Sequence, residues 1–270
     1  MLHWPDIRVE RGDLILRQAS GRDEIEACQR LRYRVFYEEL GATPIGDMAL
    51  RHADGDAFDA ICDHLVVIRR EATTEDSIRL TDGELIGTYR LLRQQVAEAH
   101  QGFYTQAEFD IAPLIARHPD LRFLELGRSC VLKPYRTRPV VELLWKGIWN
   151  YVRAHDMHVM LGCASLEGTD PTEHALSLGF LATAAAPPEW RVSAQPARRI
   201  AMQPLASSSP ERKKVLRHLP PLIKGYLRLG CFIGDGAVVD PQFNTIDVLI
   251  ILPVSVINAR YFAHFGAPND

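Results

Sequence analysis

The sequence has little that would tie it together covalently or carry it across a bilayer. Its five cysteines (Cys28, Cys62, Cys130, Cys163, Cys231) are odd in number, scattered and without CxxC spacing. That excludes a disulfide framework or a cysteine-built zinc site and leaves reduced core thiols. The longest apolar run, VLIILPVSVI at 248–257, is broken by Pro253 and is about half of the ~20 residues that a membrane span needs. The opening MLHWPDIRVERGDLIL lacks a basic-then-apolar signal layout, so a cytoplasmic location is expected. None of the ten histidines has Asp five positions on, which excludes the His-x4-Asp pattern of one acyl-transfer chemistry. GxSxG, P-loop and HExxH patterns are missing too, and there is no internal repeat.

What is present is a chain of 270 residues, 47% hydrophobic and 24% charged. That is an ordinary soluble composition with enough length for a core that needs no staple. The net charge of −3 is unevenly spread. Residues 191–230 hold nine Lys/Arg (Arg191, Arg198, Arg199, Arg212, Lys213, Lys214, Arg217, Lys224, Arg228) and one acid, Glu211, so that segment is +8 and the remainder −11. The segment is either a solvated face or a surface for an anionic partner: an acidic protein or anionic lipid. Nucleic acid is not expected, because the basic stretch is local and no nucleic-acid motif accompanies it.

Periodicity gives the element order. Strands around the turn RGD occupy 6–19. A helix runs over 21–41, with Ile25, Cys28, Leu31 and Val35 at helical spacing and Gly41 as its stop. An acidic loop follows, then strands at 64–70 and 84–93, a short helix at IAPLIARHP and the strand LRFLELGRSCVL. The helix at 140–156 places Val141, Leu144, Trp145, Ile148 and Val152 on one face. The strand HVMLGCASL and the helix DPTEHALSLGF close this part. The order β–α–β–β–(α)–β–α–β–α predicts an α/β fold, a mixed twisted sheet with helices on both faces. Three regions are expected: a core over 6–180, an irregular Ala/Pro/Ser-rich lobe over 181–210, and a C-terminal α/β extension over 211–266. The extension is predicted to hold helices at 211–229 and 255–265 around the strand TIDVLIIL.

The chemistry-bearing residues start with Glu125 and Arg128, a carboxylate and a guanidinium in an apolar strand. Buried charges need partners, and their odd separation puts them on opposite faces of a regular strand. A distortion near Gly127 is therefore predicted, letting both reach one cleft, with separate salt bridges as the alternative. Arg32 and Phe36 share a helix face. Asp54, Asp56, Asp59, Asp63 and His64 cluster before and at the second part of the sheet and offer a base or a cradle for an ammonium group. Their spacing fits no calcium loop, so no metal is expected. KPYRTRPVV joins a strand to a helix, where backbone N–H groups favour an anion beside Arg136 and Arg138.

The strand–turn–helix order resembles the N-acetyltransferase (GNAT) fold. The R-x-x-G-x-G/A acyl-CoA loop of that fold reads here as Arg136, Thr137, Arg138, Pro139, Val140, Val141. Arg32 and Phe36, the acidic loop, then Glu125 and Arg128 are similar to the pattern of acyl-homoserine-lactone synthases. LPPLIKGYLRLGCFIGDGAVVDPQFNTIDVLIIL resembles the ornithine–acyl carrier protein N-acyltransferases and relatives that use glutamine or glycine. The resemblance spans about 15–265 and implies transfer of a (3-hydroxy)acyl group to an amino-acid α-amine, giving a lyso-aminolipid. Loss of the loop glycines favours an acyl carrier protein thioester over coenzyme A as donor, and no cofactor beyond that donor is expected.

On this reading Glu125 is the base, with Asp59, Asp63 or His64 competing. Arg128 and Arg32 hold the substrate carboxylate, and Phe36, Asn244 and Asp247 line the acceptor. Backbone N–H groups of Ser129, Cys130 and Val131 take the thioester oxygen, and Lys133, Arg136 and Arg138 face the donor. Segment 191–230 docks either the carrier protein or an anionic membrane, the latter placing the protein peripherally on the inner face. Rival readings are an inactive acyl- or amino-acid-binding protein and a lactone signal synthase. Which amino acid is acylated stays open.

Overall fold

The structure, a computed structural model, describes residues 7–71, 76–206 and 208–257. They form two compact units. Unit 1 comprises the chain up to Ala97 together with Leu126–Asp156, and unit 2 comprises Glu98–Glu125 with the chain from Met157 onward.

Unit 1 is built on antiparallel pairing. Strands β1 (Val9–Arg11) and β2 (Leu14–Gln18) form a hairpin. Its two-residue turn uses Gly12 at φ 62, the left-handed region that glycine enters without penalty. β2 pairs with β3 (Asp63–Arg69), and β3 with β5 (Gly83–Arg93), on whose start the two-residue β4 (Arg79–Leu80) folds back. Gly83 is required there: an added Cβ would lie 2.1 Å from the Arg69 carbonyl oxygen. Helix α1 (Gly21–Tyr33) continues without a break into a π-helical turn over Arg34–Glu39, so one helical rod spans the predicted segment. The loop after it is less irregular than expected. It contains α2 (Met48–Arg51) and a 3-10 turn, Ala57–Ala60, closed by reciprocal Asp56 and Asp59 bonds to each other's backbone region.

Helix α5 (Arg138–Ala154) covers β2 and β3. Its buried face is Val140, Leu143, Leu144, Gly147, Ile148, Tyr151 and Val152; Val141 is exposed and Trp145 half-buried. The predicted face was thus rotated at its start, because two adjacent valines leave the first turn ambiguous. At Gly147 an added Cβ would meet Leu16 Cδ2 at 2.4 Å, so the helix sits directly on β2. Each such fully buried leucine is worth ~1.5–3 kcal/mol.

In unit 2 the first three residues of β6 (Phe123–Val131) run parallel to Val159–Leu161 of β7 (Val159–Glu167). β7 pairs antiparallel along its whole length with β10 (Thr245–Pro253). β9 (Phe232–Asp240) pairs with β10, and β8 (Arg199–Ile200) adds to β9. Hydrogen-bonded neighbours run β1-β2-β3-β5-β6-β7-β10-β9-β8, a mixed sheet of ten strands, as the α/β reading expected. Strand β9 was not anticipated. Gly234 and Gly236 interrupt its apolar pattern, yet Gly234 is demanded by the close approach of Leu249, whose Cβ would be 2.9 Å from an added one.

The helices between these strands are short: α3 (Gln94–Ala99), also unanticipated, α4 (Ala112–Arg117) and α6 (Ala175–Leu181). The predicted helix over 211–229 is two helices, α7 (Glu211–His218) and α8 (Pro221–Leu229), because Pro220 and Pro221 end one and start the next. Of the helix predicted at 255–265, Val254–Val256 is a 3-10 turn and residues 258–265 lie outside the described residues.

Candidate active site

Two groups of buried charge are set by these elements, one in each unit. In unit 1, α1 turns Arg32 wholly inward, with 0% exposure. Its Nη2 donates to both Asp59 carboxylate oxygens at 2.8 and 2.7 Å and to the Asp54 carbonyl oxygen, while Nε lies 2.9 Å from Asp54 Oδ2. Arg90 of β5 reaches Asp56 at 2.6 Å and Asp59 at 3.3 Å. Arg128 of β6 reaches Asp54 at 3.2 Å and Asp56 at 3.3 Å. Tyr37 donates to Asp54 at 3.0 Å and Gln29 to Asp59 at 3.0 Å. Three guanidinium groups therefore meet three carboxylates in a lattice. Burial alone would raise the Asp59 carboxyl, but the Arg32 and Arg90 charges and its hydrogen bonds outweigh it and hold it well below the usual range.

His64 stands beside this lattice, fully buried, with Nε2 3.2 Å from the Asp59 carbonyl oxygen. Burial, then the Arg32 charge, lower its proton affinity, so the ring is neutral at neutral pH. Asp63 accepts from the Tyr151 hydroxyl and lies 3.4 Å from Arg93. Phe36, four residues after Arg32, is half-buried.

The predicted distortion of β6 is present, but one residue beyond Gly127. Arg128 itself adopts φ 51 in the left-handed region, whereas Gly127 does not, and an added Cβ there would meet nothing within 4 Å. A non-glycine residue at such a φ is uncommon inside a strand and is held there by its Asp54 and Asp56 partners. Beyond it, Ser129 and Val131 are half-buried and Cys130 buried. The basic turn is engaged by acids. Arg136 makes two bonds to Glu39, at 2.7 and 2.8 Å, and one to the Val131 carbonyl at 2.9 Å. Arg138, exposed, reaches Glu142 at 2.6 Å, and Lys133 is exposed at the strand end.

Glu125, by contrast, is held in unit 2. Its two carboxylate oxygens accept the backbone N–H groups of Tyr104 at 3.0 Å and Thr105 at 2.7 Å. Those residues open the 3-10 turn Tyr104–Ala107, and the next residue is Glu108, whose N–H bonds the Thr105 carbonyl at 3.0 Å. Glu108 is 4% exposed. It accepts the Cys163 thiol of β7 at 3.4 Å and pairs with Arg198 at 3.2 Å.

Ligand atoms of Glu108, Cys163 and Asp247 lie within 4.8 Å of one another. Burial, followed by the Asp247 charge, pushes Glu108 up to about 7; Cys163 and Arg198 pull it down and Asp240 adds to the rise. By donor type the three side chains suit a divalent ion. Burial and the Glu108 charge, however, push the Cys163 thiol well above its ordinary value, opposing the deprotonation that metal ligation requires. Asn244, the other C-terminal candidate, lies instead at the exposed tip of the β9–β10 turn with φ 54, a position that asparagine fills for backbone reasons. Glu108 and Cys163 were missed as site residues because Glu108 sits in a short irregular turn with no periodic signal.

Comparisons with known proteins identify the family. The family model for the acetyltransferase (GNAT) domain matches residues 31–146. A protein of Agrobacterium fabrum strain C58, named L-ornithine N(alpha)-acyltransferase, is 49% identical over 262 residues, covering 96% of this chain and 87% of that one. One of the same name from Rhizobium meliloti strain 1021 is 48% identical, covering 97% and 87%. The chain belongs to the L-ornithine N(alpha)-acyltransferase family. Both resemblances read from the sequence, to the GNAT fold and to the ornithine acyltransferases, are therefore borne out, and the protein is an acyltransferase. Among solved structures, FeeM, an N-acyl amino acid synthase from uncultured soil microbes, matches with a TM-score of 0.47 and 12% identity over 92% of this chain and 97% of that one.

Proposed function

We propose that the protein transfers an acyl group from an acyl carrier protein thioester to the α-amine of L-ornithine, giving N-acyl ornithine and the free carrier thiol. The observation that carries this reading is the 49% identity, over 96% of the chain, to a relative named for that activity. The carrier donor is supported by Pro139 and Val141 standing where a coenzyme A loop has glycine. The engagement of Arg136 by Glu39 supports it further, since that cation is already committed to a neighbour.

The reaction needs an amine that has lost a proton, a stabilised oxyanion and a leaving thiolate. Asp59 is unsuited as base, because its arginines keep it ionised and weakly basic. His64 is buried against the same cations. Arg32 organises Asp54 and Asp59. Arg128, half-buried and oriented by Asp54 and Asp56, binds an anionic group of one of the reactants. Backbone groups at Ser129, Cys130 and Val131 are proposed to receive the thioester oxygen.

Among the described residues, no helix is long and apolar enough to cross a membrane. The basic segment narrows to α7 and α8, since Arg198 and Arg199 are paired with Glu108 and Asp235 while Lys213, Lys214, Arg217 and Arg228 are exposed. That surface docks either the acidic carrier or anionic lipid.

The test is mass spectrometry of lipid extracts after expression in a host lacking amino-acid lipids. N-acyl ornithine is expected. A different head group would redirect the substrate assignment, and acyl or ornithine binding without product would favour a binding protein.

A further inference from the structure

We propose that Glu108 takes the proton from the attacking amine and that Glu125 positions it through the turn Tyr104–Ala107. This rests on the acyl-transfer reading above and assigns its proton step. In that step the α-ammonium of the acceptor passes one proton to the Glu108 carboxylate. The freed nitrogen lone pair forms the N–C bond at the thioester carbon. On collapse the C–S bond breaks, the departing thiolate takes the second nitrogen proton, and Glu108 returns its own to water.

A 3-10 turn leaves its first backbone N–H groups without partners inside the turn. Glu125 satisfies two of them, at Tyr104 and Thr105, one with each carboxylate oxygen. That is a structural task, and it fixes the start of a turn whose end delivers Glu108. Glu108 has the opposite surroundings. Its carboxylate is met by a neutral thiol from β7, by Asp247 from β10, by Asp240 at the end of β9 and by one cation, Arg198. Glu125 stands at the other end of the turn. Burial, with the Asp247 and Asp240 charges added to it, outweighs the Cys163 hydrogen bond and the single arginine, so the carboxyl is pushed up to about 7. A general base works best when its proton affinity lies near the operating pH. The same negative field favours approach of an ammonium group.

The experiment is the pH dependence of kcat/KM between pH 5 and 9, using the full chain, acyl–acyl carrier protein and L-ornithine. The parent is expected to show an acid limb near 7. Glu108→Gln removes that limb and lowers kcat/KM at pH 8 by ~100-fold or more. Glu125→Gln lowers kcat but keeps a limb, since the base is still present.

Two milder variants move the limb in opposite directions and decide the matter even where Glu108→Gln fails to fold. Asp247→Asn removes a charge that raises the Glu108 carboxyl and shifts the limb down. Cys163→Ala removes a hydrogen bond that lowers it and shifts the limb up. An acid limb that ignores both Asp247→Asn and Cys163→Ala overturns the role of Glu108 while leaving the function intact. A parent that forms no acyl-ornithine at any pH overturns the function and this role with it.

Discussion

Three arginines meet three aspartates in unit 1, whereas in unit 2 Arg198 meets Glu108 with Asp240 and Asp247 adding further negative charge nearby. Both groups are buried, yet their consequences differ. In unit 1 the charges satisfy one another, Asp59 is held well below its ordinary range, and the lattice locks α1, the acidic loop, β5 and β6 together. In unit 2 burial, reinforced by the Asp247 and Asp240 charges, outweighs the one arginine, and Glu108 is left able to gain and lose a proton at neutral pH. Matched charge builds structure; mismatched charge is available for chemistry.

The largest effect expected from breaking this contrast is on stability in unit 1. Arg32→Ala removes the buried cation that Asp54 and Asp59 share, leaving each with weaker partners, at a cost of ~3–5 kcal/mol read from urea unfolding. A loss below ~1 kcal/mol would mean that the lattice is not structural.

The two regions should also respond oppositely to pH. Glu108 binds its proton more tightly in the folded protein, at about 7 against an ordinary 4.5. Its contribution is therefore fully present below about 4.5 and lost as pH rises through 7, ~3 kcal/mol in all. For Asp59, held below its ordinary 3.8, the contribution is present above that value and lost as pH falls below it. Unfolding midpoints across pH should show both slopes, and Glu108→Gln should remove only the first.

A control without charge is Gly147→Ala in α5. Its new methyl meets Leu16 and costs ~1–3 kcal/mol, with no change in either slope. The smallest effect is at the surface. Lys213→Ala should leave unfolding unchanged and weaken binding to anionic vesicles about 5-fold, or ~1 kcal/mol, where lipid is the partner of α7. Weaker carrier binding in place of vesicle binding would assign that face to the donor.

Much of the fold was legible because the strands and α1 and α5 carry strong periodicity. The strand missed was β9, where Gly234 and Gly236 answer to a close approach by β10 that sequence spacing does not encode. Legibility of the site was more uneven. Glu125 and Arg128 stood out as charges in an apolar strand, Arg32 by sharing a helix face with Phe36, and Asp59 as one of an acidic cluster; the structure finds each buried or half-buried with partners. What sequence spacing could not tell was which charges cancel. Arg32 looked like a ligand for a carboxylate and is committed to two of the protein's own. Glu108 carries no signal in the sequence and becomes distinctive only when β7 and β10 bring Cys163 and Asp247 beside it.

The claim that mismatched charge marks the chemistry is tested most directly by a carboxyl carbon-13 NMR titration of Asp59 and Glu108 in the full chain. Glu108 is expected to titrate at about 7 and Asp59 to remain ionised well below its ordinary 3.8. Titration of both carboxyls together near pH 4 would contradict the account.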